Sequence, residues 1–201
     1  MDLKKFELRT SCTEKPADLE EFIPVFHRWI QRQALPGLLI DVADYRHVAG
    51  GPGIVLIGHE GDYGICSKSP NELILYYREK GRSDAGGDSL LLRGFVRLVQ
   101  AVRLIGYPFA TDRFILVLND RAGFPPTADK FKELSWHLSQ TLGRILNREP
   151  EIRLLTAEPR ERLAVDICFP RRLAPRLLLK RFTEAMRSFE VADHSPVAPE
   201  G

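Results

Sequence analysis

The chain has 201 residues, 44% hydrophobic and 28% charged, enough for one sizeable core. Its net charge of +2 is too small to demand a nucleic-acid or anionic-membrane partner, and no apolar run approaches the roughly 18 residues that span a bilayer. Cys12, Cys66 and Cys168 are few, odd in number and far apart, and the opening MDLKKFELRT lacks the apolar segment of a secretory signal, so a cytoplasmic protein without disulfides is expected.

In chain order, KKFELRT alternates like a strand, with Phe6 and Leu8 on one face. Asp18 and Glu21 form a helix start signal before the stripe Leu19, Phe22, Ile23, Phe26, Trp29 and Ile30. Pro24 inside that stripe predicts a kink or a helix that begins near it, and Pro36-Gly37 ends the element. GLLIDVADY reads as a central strand because it is nearly continuously apolar. RHVAGGP then leads into a second central strand, GIVLIGH, and a tight turn at Glu60-Gly61-Asp62 leads to YGICS and to the strand ELILYYR.

GRSDAGGDS is a connector, followed by a helix from Ser89 to Ile105 with Arg93, Arg97 and Gln100 along its polar side. DRFILVLND is a strand. The helix from Thr127, its cap, to Asn147 carries Phe131, Leu134, Leu138, Leu142, Ile145 and Leu146. EIRLLTA and RLAVDICF make a hairpin around Glu158-Pro159-Arg160-Glu161. A last helix from Ala174 to Phe189 turns Leu177, Leu178, Phe182 and Met186 inward, and the tail 189–201 is expected to be disordered.

The expected fold is α+β, an antiparallel or mixed sheet with helices mainly on one face, in a single domain over 1–188. The order βαββα occurs twice, over 1–106 and 112–188, with one extra hairpin in the first half. KKFELRT echoes DRFILVL, and PADLEEF echoes TADKFKEL. Internal duplication explains this, and so does convergence on a common arrangement.

The densest chemistry lies in HVAGGPGIVLIGHEGDYGI. Gly50-Gly51-Pro52-Gly53 precedes a strand rather than a helix, and Pro52 removes a donor, so positive φ explains these glycines better than a phosphate cradle. His47, His59, Glu60 and Asp44 have the right types for a metal. In a hairpin, however, Gly53 and His59 stand about 20 Å apart, too far for His47 and His59 to share an ion, so no metal site is assigned. Two polar clusters remain. His59, Glu60 and Asp62 are the candidate catalytic group, a histidine beside carboxylates suiting general-base work. Asp41, Asp44, Tyr45 and His47 are the candidate ligand-binding group, with the two aspartates requiring partners if their strand is buried. No nucleophile elbow is present, and the cysteines read as structural. His27 and His137 are read as partly buried packing residues beside Trp29 and Trp136.

The strings FIPVFHRWIQ, LLIDVADYRHV and GPGIVLIGHEGDY are similar to a group of uncharacterised bacterial proteins, over the chain up to about residue 65. The resemblance implies a bacterial cytosolic origin and carries no activity, cofactor or site residue.

These observations lead to the expectation of a non-enzymatic binding, interaction or regulatory protein that takes a protein partner or small ligand, as a homodimer, with no membrane association. The cofactor is unknown. One alternative is a small metal-dependent or His/carboxylate hydrolase at His59, Glu60 and Asp62. Another is nucleic-acid binding through the C-terminal arginines Arg160, Arg162, Arg171, Arg172, Arg176, Arg181 and Arg187, against which the absence of any recognition motif counts.

Overall fold

Strand β1 (Phe6–Cys12) has an antiparallel neighbour on each side, which places it well inside the sheet. The computed structural model describes residues 3–12, 18–69, 71–81, 87–119, 123–155 and 162–193, apart from the side chains of 190–193. After β1 come α1 (Phe22–Arg32), β2 (Leu39–Asp44), β3 (Ile54–Gly58), β4 (Gly61–Ser69), β5 (Glu72–Glu79) and α2 (Gly87–Ile105). The second half supplies β6 (Arg113–Leu118), α3 (Ala128–Leu146), β7 (Glu151–Leu154), β8 (Ala164–Cys168) and α4 (Pro175–Asp193). All eight strands join one antiparallel sheet in the order β2-β3-β4-β5-β1-β6-β8-β7.

Each half pairs its first strand with the last strand before its second helix, β1 with β5 and β6 with β8. The halves meet where β1 pairs with β6. The correspondence is one of connectivity, and the β2–β3 hairpin extends the first half alone.

Period-two alternation gives the sheet two unlike faces. Phe6 and Leu8 of β1, Leu73, Leu75 and Tyr77 of β5, Phe114 and Leu116 of β6, and Val165 and Ile167 of β8 belong to one buried cluster. The apolar stripes of all four helices join that cluster, so the helices cover this face. The residues between them point the other way. Val55, Ile74, Tyr76 and Val117 are buried yet stand outside the cluster, on a face that also carries Glu7, Arg9 and Arg78. Among the described residues no helix is long and apolar enough to cross a membrane.

Several elements differ from their sequence reading. β2 is an edge strand rather than a central one, with Ile40 55% exposed and Leu38, just before it, 66% exposed. Apolar content misleads there because Ile40 sits at a register break and points out. At Pro24, of the two outcomes expected, the structure has the helix that begins near it. Asp18 caps a single 3-10 turn, Leu19–Glu21, and Pro24 then falls in the first turn of α1, where its missing N–H costs nothing. The β3–β4 turn is His59-Glu60, because Gly61 and Asp62 already pair with Glu79 and Arg78.

Arg97 is only 5% exposed, so the supposed polar side of α2 is partly interior. His27 is exposed rather than partly buried, its side chain lying off the face that buries Trp29, whereas His137 is partly buried beside an exposed Trp136. Leu177 also faces out while Leu178 and Phe182 are buried. α4 continues to Asp193, past the expected end at Phe189, which itself packs against the core. The expected turn at 158–161, most of the 81–89 connector and the tail from 194 lie outside the described residues.

The seat of α2 on β1 is Gly94, where a Cβ would stand 2.6 Å from the Phe6 ring. Alanine there gains about 1 kcal/mol of helix propensity but forces about 1–3 kcal/mol of overpacking. Gly94→Ala is therefore expected to be net destabilising, measured as a lower midpoint in urea unfolding at unchanged slope.

Candidate functional site

The candidate catalytic residues are close in the chain, His59 and Glu60 on the β3–β4 turn and Asp62 in β4, but their charges are drawn apart. Glu60 pairs with the guanidinium of Arg97 on α2. Arg97 also donates from Nη1 to the Tyr77 hydroxyl at 2.6 Å, and that hydroxyl donates to Glu79 Oε2 at 2.9 Å. The Glu79 carboxylate is fully buried and has Arg93 at 3.7 Å. Removing these charges from water is costly, and mutual pairing is what makes their burial tolerable. The Arg97 guanidinium holds the Glu60 carboxyl below its usual range.

Asp62 faces elsewhere. Its Oδ1 accepts from Lys80 Nζ at 2.6 Å and from the Gly58 amide at 3.2 Å, which closes the hairpin. Lys80 Nζ also donates to the Gly58 carbonyl at 2.8 Å. His59 is exposed, and its backbone N–H donates to Leu38 at 2.8 Å. The turn is thus a brace between α2, β5 and the end of β2.

The second group is spread along β2 and the following loop. Its aspartates are exposed rather than buried, and each accepts backbone N–H groups. Asp41 Oδ1 accepts from Val42 at 2.7 Å, and Asp44 Oδ1 accepts from Arg46 at 3.0 Å. The Tyr45 amide reaches back to the Gly53 carbonyl, so by alternation the Val42 N–H points away from β3, toward the open edge. Asp41 therefore occupies a donor that a foreign strand would otherwise use. Arg46 joins Asp44 at 2.8 Å to Glu20 at 2.8 Å and pins the loop to the 3-10 turn. Hydrogen bonds from Arg46 bring the Asp44 pKa down to about 2. Tyr45 and His47 are exposed on the loop. β3 separates His47 from His59, and no three His, Cys, Asp or Glu among the described residues converge as ligands would.

A different site emerges on the uncovered face. A groove of about 530 Å³ runs over β1, β4 and β5 and is rimmed by Gly50, Gly51 and Pro52. Its floor includes Ile74, Tyr76 and Cys66, and its polar wall holds Glu7, Arg9, Arg78 and Lys68. Glu7, 2% exposed, binds both arginines. Arg9 Nε donates to Oε1 at 2.5 Å, while Arg78 donates to Oε2 from Nε at 2.8 Å and pairs through Nη2 at 2.7 Å.

Tyr76 shapes the groove. Its cross-strand partner is Gly64, and a Cβ there would overlap the ring, so the ring lies across the glycine. The hydroxyl donates to the Pro52 carbonyl at 3.1 Å and ties down the glycine loop. Gly50 and Gly53 have φ of 68° and 76°, in keeping with the conformational reading of these glycines. Burial raises the Cys66 thiol pKa, which disfavours the reactive thiolate.

Sequence reasoning missed this groove because Glu7 and Arg78 are far apart in the chain. The one available signal was the charged parity of β1, with Glu7 and Arg9 opposite Phe6 and Leu8. Three further residues were read only as packing or surface. His137 Nε2 lies 2.5 Å from Asp88 Oδ1, tying α3 to the start of α2 and lowering the Asp88 pKa. In the C-terminal basic stretch, Arg172 donates to the Phe109 carbonyl at 2.6 Å and Arg181 to that of Leu146, so both serve as backbone caps. Comparison of the chain with protein-family models, curated proteins and solved structures gave no match.

Two expectations follow from this geometry. Because the Glu60 pKa lies below its ordinary 4.5, the Arg97 pair contributes fully above pH 4.5 and is lost as pH falls through the lowered value. Glu60→Gln should accordingly lower stability at neutral pH and converge with the parent protein in acid, as urea midpoints across pH will show. Asp41→Ala uncovers the Val42 N–H and should increase concentration-dependent self-association in sedimentation velocity, with no change in monomer fold by circular dichroism.

Proposed function

We propose that this protein works by binding rather than by catalysis, and that the groove on the uncovered sheet face receives a small ligand. The observation that supports this reading is the fixed glycine loop. Tyr76 holds Pro52 over a groove whose polar residues are already oriented by the buried Glu7. Preorganised side chains of this kind lower the ordering cost of association.

A hydrolase at His59, Glu60 and Asp62 receives less support, since both carboxylates are committed to cations that brace the turn. The exposed apolar residues Leu38, Ile40, Tyr45 and Val48 favour a second contact, a homodimer formed by side chains at the β2 edge. A cytoplasmic, bacterial setting remains part of the same reading.

The test is retention. Protein incubated with a bacterial metabolite extract and recovered by gel filtration should carry a small molecule, released chemically unchanged and detected by mass spectrometry. Lys68→Trp, which fills the groove from an exposed position, should abolish retention. Equal retention by both proteins, or conversion of the bound compound, overturns the reading.

A further inference from the structure

We infer that the groove selects a carboxylate carried on a short apolar body. This rests on the binding reading above and deepens it by naming the ligand chemistry. The charge count comes first. Glu7, Arg9, Lys68 and Arg78 line the groove, three cations against one carboxylate. Glu7 divides its two oxygens between two guanidiniums, so the trio by itself keeps one positive charge. Glu72 acts electrostatically on Cys66 and Asp62 on Arg78, but neither is among the lining residues, and Asp62 is paired with Lys80.

Donor geometry comes second. Arg9 spends Nε on Glu7, and its terminal nitrogens have no hydrogen-bond partner among the described residues. Arg78 spends Nε and Nη2, which leaves Nη1. Both side chains are more than a third exposed, at 36% and 39%, so those donors are accessible. A guanidinium held in place by a buried carboxylate presents its remaining edge without further ordering cost, and carboxylates match that edge.

The glycine loop narrows the choice of anion. The Gly51 N–H already donates to the Val48 carbonyl at 2.8 Å, Pro52 has none, and the Pro52 carbonyl is taken by Tyr76. The loop therefore lacks the converging amides by which phosphate is usually cradled. The floor supplies the rest. Ile74, the Tyr76 ring, Cys66 and Pro52 are apolar, and Ile74 to Arg78 along β5 spans about 13 Å, room for a chain of several carbons.

The test is an amide-shift titration by NMR with three probes: octanoate, octanol and inorganic phosphate. Octanoate should shift the amides of Gly51, Gly64 and Tyr76, octanol and phosphate much less. Arg9→Gln should weaken octanoate binding roughly tenfold to a hundredfold, the usual range for a charge-assisted hydrogen bond. Arg9→Lys, which keeps the charge, should recover part of that loss. An equal response to octanol removes the charge assignment and leaves the binding reading standing. An equal response to phosphate removes the apolar body. If no probe shifts these amides while the metabolite-retention result holds, the carboxylate inference alone fails. If retention fails as well, the binding reading falls with it.

Discussion

The pairing of β1 with both β5 and β6 is the constraint on which the rest of the molecule depends. An interior antiparallel strand must satisfy both backbone edges and present alternate side chains to opposite faces. β1 does so with Phe6, Leu8 and Cys12 beneath the helices and with Glu7 and Arg9 on the other side. The apolar parity seats α2 through Gly94 and gathers both halves of the chain into one buried cluster. The charged parity lies directly opposite Arg78 and Tyr76 of β5, in the register Glu7 to Arg78 and Arg9 to Tyr76. One strand therefore supplies the centre of the core and the centre of the groove.

Charge is handled differently at three depths. At the exposed β2 edge, Asp41 and Asp44 accept local backbone N–H groups, and their role is to occupy donors at an edge and a turn. Under α2, the buried Arg97, Tyr77 and Glu79 link the partly exposed Glu60 and Arg93, and removal of one member leaves another uncompensated. On the uncovered face, Glu7 is buried while its two arginines stay a little more than a third exposed. This third arrangement combines fixed charge with accessible donors. That combination distinguishes a place where a ligand can gain from binding from a place where the protein only balances its own charges.

Much of the secondary structure was legible in the sequence because its signals are local. The stripe Leu134, Leu138, Leu142 and Leu146 and the Thr127 cap specify α3 within a few turns of chain. The separation of the two histidines by β3 was likewise readable, since strand length alone keeps them apart. The position of β2 was not. A run such as LLIDV is equally apolar at an edge and at a centre, and only the pairing partners of the whole sheet decide between them. Arg97 misled for a related reason. On a helical projection it lies with Arg93 and Gln100 on the polar side, and burial becomes favourable only when Glu60 arrives from the β3–β4 turn and Tyr77 from β5.

By itself, the sequence determined the kind of protein this is: strands and helices in two successive runs, βαββα with an extra hairpin and then βαββα, glycines where the loop before β3 needs positive φ, and two polar groups held apart by the strand between them. Those properties follow from spacing along the chain, which a sequence displays directly. Tertiary structure alone decided which carboxylates would be spent on bracing and which would orient free donors. Glu7 meets Arg78 across 71 positions, and Tyr76 finds Pro52 across 24. The physical reason is that a charged side chain takes its role from the partners and the depth that packing assigns to it, and both arise from strand pairings made between distant parts of the chain.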